Sequence, residues 1–130
     1  MPHIYKDARL LEGKDKIGDK ECITLIKEYT NLLNTATWRR GEAVLGNKHI
    51  ADGTAVANFT KDGKWPGKAK GNHSAFYLGQ VSDGIYIIDQ WPDDKTKKKI
   101  SKRFIRRLGK DRLGEFIQPT ENADAFFVIE

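Results

Sequence analysis

Apolar residues recur at helical spacing in one stretch of this chain. Cys22, Ile26, Tyr29 and Leu33 stand at offsets of 0, 4, 7 and 11, and Ile23 and Leu25 widen the same stripe. That periodicity predicts an amphipathic helix. Asp19 is placed to cap its start, and Asn34 and Thr35 mark its end. The first eighteen residues are mostly polar and close on Gly18. After the helix, the Trp-Arg-Arg-Gly segment at 38–41 reads as a loop with an aromatic anchor.

From Gly53 onward the pattern changes to short apolar runs. Their β-branched and aromatic content predicts strands over 54–59, 73–79, 85–91 and 125–129. Ser82, Asp83 and Gly84 carry turn chemistry, so the second and third of these form an antiparallel hairpin. Residues 61–71 form a Gly/Lys-rich loop, long for a connection inside a compact domain. The stretch around 103–106 has two readings. Ile100, Phe104, Ile105 and Leu108 fit a helical face, whereas Arg103-Phe104-Ile105-Arg106 fits an exposed strand; strand is preferred, because a sheet is being assembled around it. One helix followed by a run of strands predicts an α+β class, with the helix packed on an antiparallel sheet of about four to six strands.

Length and composition narrow this further. With 130 residues, 38% hydrophobic and 32% charged, the chain is sized for a single domain spanning 1–130. It has no apolar run of about 18 residues, so a membrane span is not expected. Its first residues lack a secretory signal. A lone cysteine excludes an internal disulfide framework and argues against a cysteine-based zinc site. The balance of 23 basic to 18 acidic residues, a formal +5, favours anionic partners without choosing among nucleic acid, an anionic membrane and an acidic wall polymer. Ten of those bases crowd into 95–112, and the remainder is net acidic. That stretch is the evidence for a rival reading, a non-enzymatic binder of nucleic acid or another anionic surface. A solvated basic face is the simpler account of it.

Three residues carry candidate chemistry. Cys22 falls near the start of the helix, where backbone N–H groups stabilise a thiolate, though a lone cysteine is more often a small buried hydrophobe. His73 opens a strand after a Gly-rich loop, a sheet-rim position from which imidazole can serve as base to a thiol. His3 and His49 have poorer settings, one near the terminus and one in a loop. Asp89 follows His73 by sixteen residues. A three- or five-residue loop around Ser82 would put His73 and Asp89 on the same side of the sheet, with Asp89 beside Ala75 to Tyr77 and a bulge or strong twist closing the gap. Asp89 would then orient the imidazole. Trp38, Trp65 and Trp91 lie near loop or strand ends; Trp65 and Trp91, which flank His73 and Asp89, are candidate substrate-binding residues.

These pieces resemble a known family. Gly18-Asp19-Lys20-Glu21-Cys22-Ile23-Thr24-Leu25-Ile26-Lys27, Asn72-His73-Ser74-Ala75-Phe76-Tyr77-Leu78-Gly79 and Ile87-Ile88-Asp89-Gln90-Trp91 are similar to the nucleophile helix, histidine strand and third-residue strand of the NlpC-type and CHAP-like amidases. The small amidase effectors of type VI secretion are the nearest in kind. The resemblance implies a papain-like (NlpC-type) fold with an N-terminal nucleophile helix. It implies a peptidoglycan amidase in which Cys22 attacks, His73 moves protons and Asp89 orients His73. It implies no metal and no organic cofactor. It further implies synthesis in the cytoplasm, export to a target-cell periplasm and a cognate immunity protein that occludes the cleft. The same triad would serve a hydrolase or transferase acting on proteins.

Overall fold

Six strands and one helix organise the chain: α1 (Cys22–Tyr29), β1 (Arg40–Ala43), β2 (Ala55–Asn58), β3 (Ser74–Val81), β4 (Gly84–Asp89), β5 (Ser101–Arg106) and β6 (Phe126–Ile129). This is a computed structural model that describes residues 1–68 and 70–130. The strands form one antiparallel sheet in the order β1-β6-β2-β3-β4-β5. Among the described residues no helix is long and apolar enough to cross a membrane.

Alternation along each strand divides the core in two. On one face Phe76, Leu78, Ile88 and Ile129 pack under Leu25 and Ile26 of α1. On the other, Val56, Ala75, Tyr77, Ile85, Ile87 and Ile105 are closed over by Val44 and Ala123 from connecting segments. A central strand buried on both faces needs apolar residues at every position. That is why the Ile-Tyr-Ile-Ile run of β4 is so plain in the sequence. β5 is the edge next to it, and the strand reading of 103–106 holds. Its outward Lys102 and Arg106 are exposed charges of the kind that guard an edge from further pairing.

Other expectations are corrected. The helix stops at Tyr29, two turns in, not near Asn34. Thr30 turns extended (φ −138°), its hydroxyl donates to the Ile26 carbonyl, and the same oxygen accepts from Leu32 N–H. Local bonds of this kind compete with the next helical turn. Leu32 is therefore buried and Leu33 is left 68% exposed. Glu21 is the N-cap, while Asp19 accepts from Glu21 N–H and from the Thr24 hydroxyl. The 38–41 segment is not all loop: Trp38 is the buried anchor expected, but Arg40 begins an edge strand paired with β6.

The β3–β4 turn has two residues, Ser82 and Asp83, since Val81 pairs with Gly84. A two-residue turn pairs odd positions with even ones, which would put His73 and Asp89 on opposite faces. A bulge corrects this. Gly79 pairs with Tyr86 but Tyr77 pairs with Ile87, so Leu78 is the extra residue on β3. Gly79, at φ +126°, adopts the backbone the bulge requires. Beyond the bulge Phe76 pairs with Ile88, and the continuing register sets Asp89 across from Ala75.

Candidate active site

The Cys22 position is built by a tight turn. Ile17 C=O accepts from Lys20 N–H, and both Gly18 and Lys20 have positive φ, 56° and 70°. A Cβ on Gly18 would lie 3.0 Å from the Thr24 methyl, so glycine is favoured there by its left-handed backbone and by space. Gln90, fully buried, fixes the turn to the end of β4. Its amide accepts from Ile17 N–H and donates to the carbonyls of Ile17 and Glu21. Lys16 and Lys20 both reach Asp94, fastening the same turn to the segment beyond Trp91. The chain then enters α1 at Cys22, which is 7% exposed.

His73 is held from below by Asn58. Asn58 Oδ1 accepts from His73 N–H at 2.6 Å, Asn58 N–H donates to the His73 carbonyl, and Asn58 Nδ2 donates to the Gly71 carbonyl. The ring therefore stands at a fixed place on the sheet rim. Its Nε2 lies 2.7 Å from Asp89 Oδ2, so the bulge delivers the same-face arrangement that loop counting reached by a different route. Cys22 lies against His73 and against Ser74, whose buried Oγ is otherwise unpartnered.

Asp89 is fully buried and is surrounded by three cationic groups. Besides His73, its Oδ2 accepts from Arg103 Nε at 2.8 Å. Its Oδ1 lies 2.7 Å from Lys97 Nζ, whose hydrogen bonds go to Ser101 O and Oγ, so this second contact is ionic. Arg103 continues to Glu121 at 2.7 Å. Trp91 roofs the group. Its ring centroid is 4.6 Å from Lys97 Nζ, 5.0 Å from Arg103 Cζ and 6.2 Å from the His73 ring, and its Nε1 donates to Thr96. Trp65 packs edge-on against buried Trp38 at 4.7 Å and takes no part in these contacts.

Electrostatics follow from this geometry. Burial disfavours a charged imidazole, but hydrogen bonds to Asp89 and Cys22 outweigh it and push His73 up to about 9. Burial likewise pushes the Cys22 thiol up, and His73, then Ser74, override it and bring the thiol below its ordinary value. Burial also works against the Asp89 carboxylate, yet His73, Arg103 and Lys97 hold it far below the usual carboxylate range. These contacts favour a thiolate beside an imidazolium, oriented by a carboxylate that stays charged. Such a pair can attack a carbonyl and protonate a leaving group.

The structure brings Cys22, His73, Asp89 and Trp91 together, and adds Lys97, Arg103, Gln90 and Asn58, which the sequence did not single out. The basic stretch is not one solvated face. Lys97 and Arg103 turn inward to Asp89, Lys99 pairs with Asp15, and Lys102 and Lys110 lie over the rings of Tyr86 and Phe116. The signal for Arg103 was period-two spacing: with Ser101 paired to Asp89, Arg103 shares the carboxylate's face. Among the described residues no cluster of three His, Cys, Asp or Glu is placed to hold a metal ion.

Comparison with known proteins agrees on one family. A family model described as domesticated amidase effector 2 matches residues 3–129. A type VI secretion amidase effector 2 protein of Salmonella typhi is 41% identical over 134 residues, covering all of both chains. A domesticated amidase effector 2 of Ixodes scapularis is 36% identical over 95% of this chain and 78% of its own length. A solved structure titled type 6 secretion amidase effector 2 superposes with a TM-score of 0.91 at 40% identity, covering 98% of this chain and 93% of the other.

Proposed function

The chain belongs to the domesticated amidase effector 2 family, and we propose that it is a cysteine amidase that hydrolyses an amide bond in the peptide stem or crosslink of peptidoglycan. It acts as an antibacterial effector carried to the target cell by type VI secretion. The observation that carries the mechanism is the chain of contacts from Asp89 through His73 to Cys22, with the thiol lowered and the imidazole raised. The helix-on-sheet arrangement, with the nucleophile opening α1 and the base at the adjacent sheet rim, supports a papain-like (NlpC-type) assignment.

The Cys22 thiolate attacks the amide carbonyl and the carbonyl π electrons move onto oxygen. The Cys22 backbone N–H, at the open start of α1, is one donor to that oxyanion. Collapse breaks the C–N bond, and the His73 imidazolium gives its proton to the leaving amine. Neutral His73 then takes a proton from water as hydroxide adds to the thioester carbonyl; collapse breaks the C–S bond, releases the carboxylic acid and leaves the Cys22 thiolate beside the His73 imidazolium that began the cycle. Asp89 holds the imidazole orientation throughout, and Lys97 and Arg103 keep Asp89 ionised. A cognate immunity protein that covers this cleft is part of the same proposal.

The test is digestion of purified peptidoglycan by the wild type and by Cys22→Ala, with fragments identified by mass spectrometry. Fragments from the wild type alone support the reading and name the bond. Equal fragments from both, or none from a folded wild type, refute it.

A further inference from the structure

Next to His73, residues of 58–68, 70–71 and 115–119 border a half-open cavity of about 210 Å³. Phe59, Pro66, Phe116 and Pro119 supply its apolar walls, and Lys68 and Lys70 supply positive charge. Glu115 also lines it, but its carboxylate is 3.2 Å from Lys61 Nζ. Neither Lys68 nor Lys70 has an acidic partner among the described residues. Asn58 and Gly71 line the cavity too, and Asn58 is the residue that grips His73 through both its N–H and its carbonyl. An occupant of this cavity therefore lies against the residue that bonds the His73 backbone on both sides.

Size and charge together select the occupant. The volume is below the usual range of about 300–1,000 Å³ for pockets that enclose whole small molecules. It suits one or two side chains of a longer ligand. A polyanionic nucleic-acid backbone needs an extended basic track, and this half-open cavity offers two lysines beside apolar walls. Apolar walls beside two ammonium groups match an aliphatic residue that ends in a carboxylate.

We propose that this cavity is a substrate subsite that receives a carboxylate-bearing residue of an acidic peptide and so positions the neighbouring amide at Cys22. The inference rests on the amidase reading above and assigns that site its preference for anionic peptides. Lys68 and Lys70 are positioning residues that draw the carboxylate into the cavity.

The test measures binding on the Cys22→Ala background, so that no cleavage is needed. The probes are a crosslinked muropeptide dimer with free carboxylates and the same dimer with its carboxylates amidated, titrated by calorimetry. The free form binds about tenfold more tightly, the scale of one or two partly exposed charge pairs. Adding Lys68→Met and Lys70→Met brings the ratio close to one, and Lys68→Arg with Lys70→Arg retains it. High salt also narrows it. Equal affinities in Cys22→Ala, or a ratio untouched by the two methionines in a protein that melts normally, would overturn the proposal. Failure of the wild type to cut either dimer while the affinity ratio persists would overturn the amidase activity and support the subsite.

Discussion

Replacing Asp89 by Asn keeps the side chain's shape and removes its charge. Asp89 is fully buried, and the Lys97 side chain is only 4% exposed. Without the carboxylate, Lys97 retains Ser101 O and Oγ, both neutral, and has no counter-ion. Arg103 is spared, since Glu121 remains at 2.7 Å. An uncompensated buried charge costs about 3–5 kcal/mol. Against a total of about 5–15 kcal/mol that is a large share of the stability. Asp89→Leu with Lys97→Met removes both charges, and replacing a buried pair by apolar residues costs little. The double variant should recover at least about 2 kcal/mol of the loss, a coupling far above additivity. Both variants should be inactive, because His73 loses the partner that orients it. The assay is urea unfolding of wild type, each single variant and the double, alongside peptidoglycan digestion. A cost under about 1 kcal/mol for Asp89→Asn, or a double variant as unstable as the two singles summed, would show that Asp89 and Lys97 are not a buried ion pair.

Activity should fall on the alkaline side as His73 loses its proton near 9, and on the acid side as the Cys22 thiolate gains one; a rate still rising through pH 10 would contradict the ion-pair mechanism. Stability follows the same groups. His73 is raised from 6.5 to about 9, so its contribution is complete below 6.5 and is lost as pH rises through about 9. Asp89 is depressed, so its contribution is present above 3.8 and is lost as pH falls below it; unfolding midpoints across pH would reveal both limbs. Gln90→Leu removes three hydrogen bonds to the turn before Cys22 and should cost about 2–4 kcal/mol, with slower alkylation of the thiol; an unchanged melting temperature would refute the clamp. Gly79→Ala meets no atom within 4 Å, so its expected cost of about 1–3 kcal/mol is backbone strain alone, readable by thermal melting and absent if the bulge relaxes freely.

Strands with apolar residues on both faces, β3 and β4 above all, were legible because burial leaves no other pattern. β5 was legible only in part, since an edge strand with mixed faces resembles a short helix over six residues. β1 was not legible: Arg-Gly-Glu-Ala has no apolar alternation, and it is a strand because β6 offers backbone partners. The Cys22–His73–Asp89 group could be read from residue type and from placement at element ends. Its supports could not. Gln90 and Asn58 act through backbone groups distant in sequence, and such bonds leave no periodic trace. Lys97 was hidden by its neighbours, one inward lysine within a run of outward ones.

The extra residue at Leu78 and the two-residue turn at Ser82–Asp83 behave like two frameshifts that cancel. Each alone would rotate the His73 end of β3 half a turn against β4, and together they restore phase. A relative that lost the bulge and gained one turn residue would keep the same spacing between histidine and carboxylate and the same dyad. One that changed only the turn would need a new carboxylate one position away. Alignments in this region should therefore be anchored on facing direction, with gaps permitted in pairs.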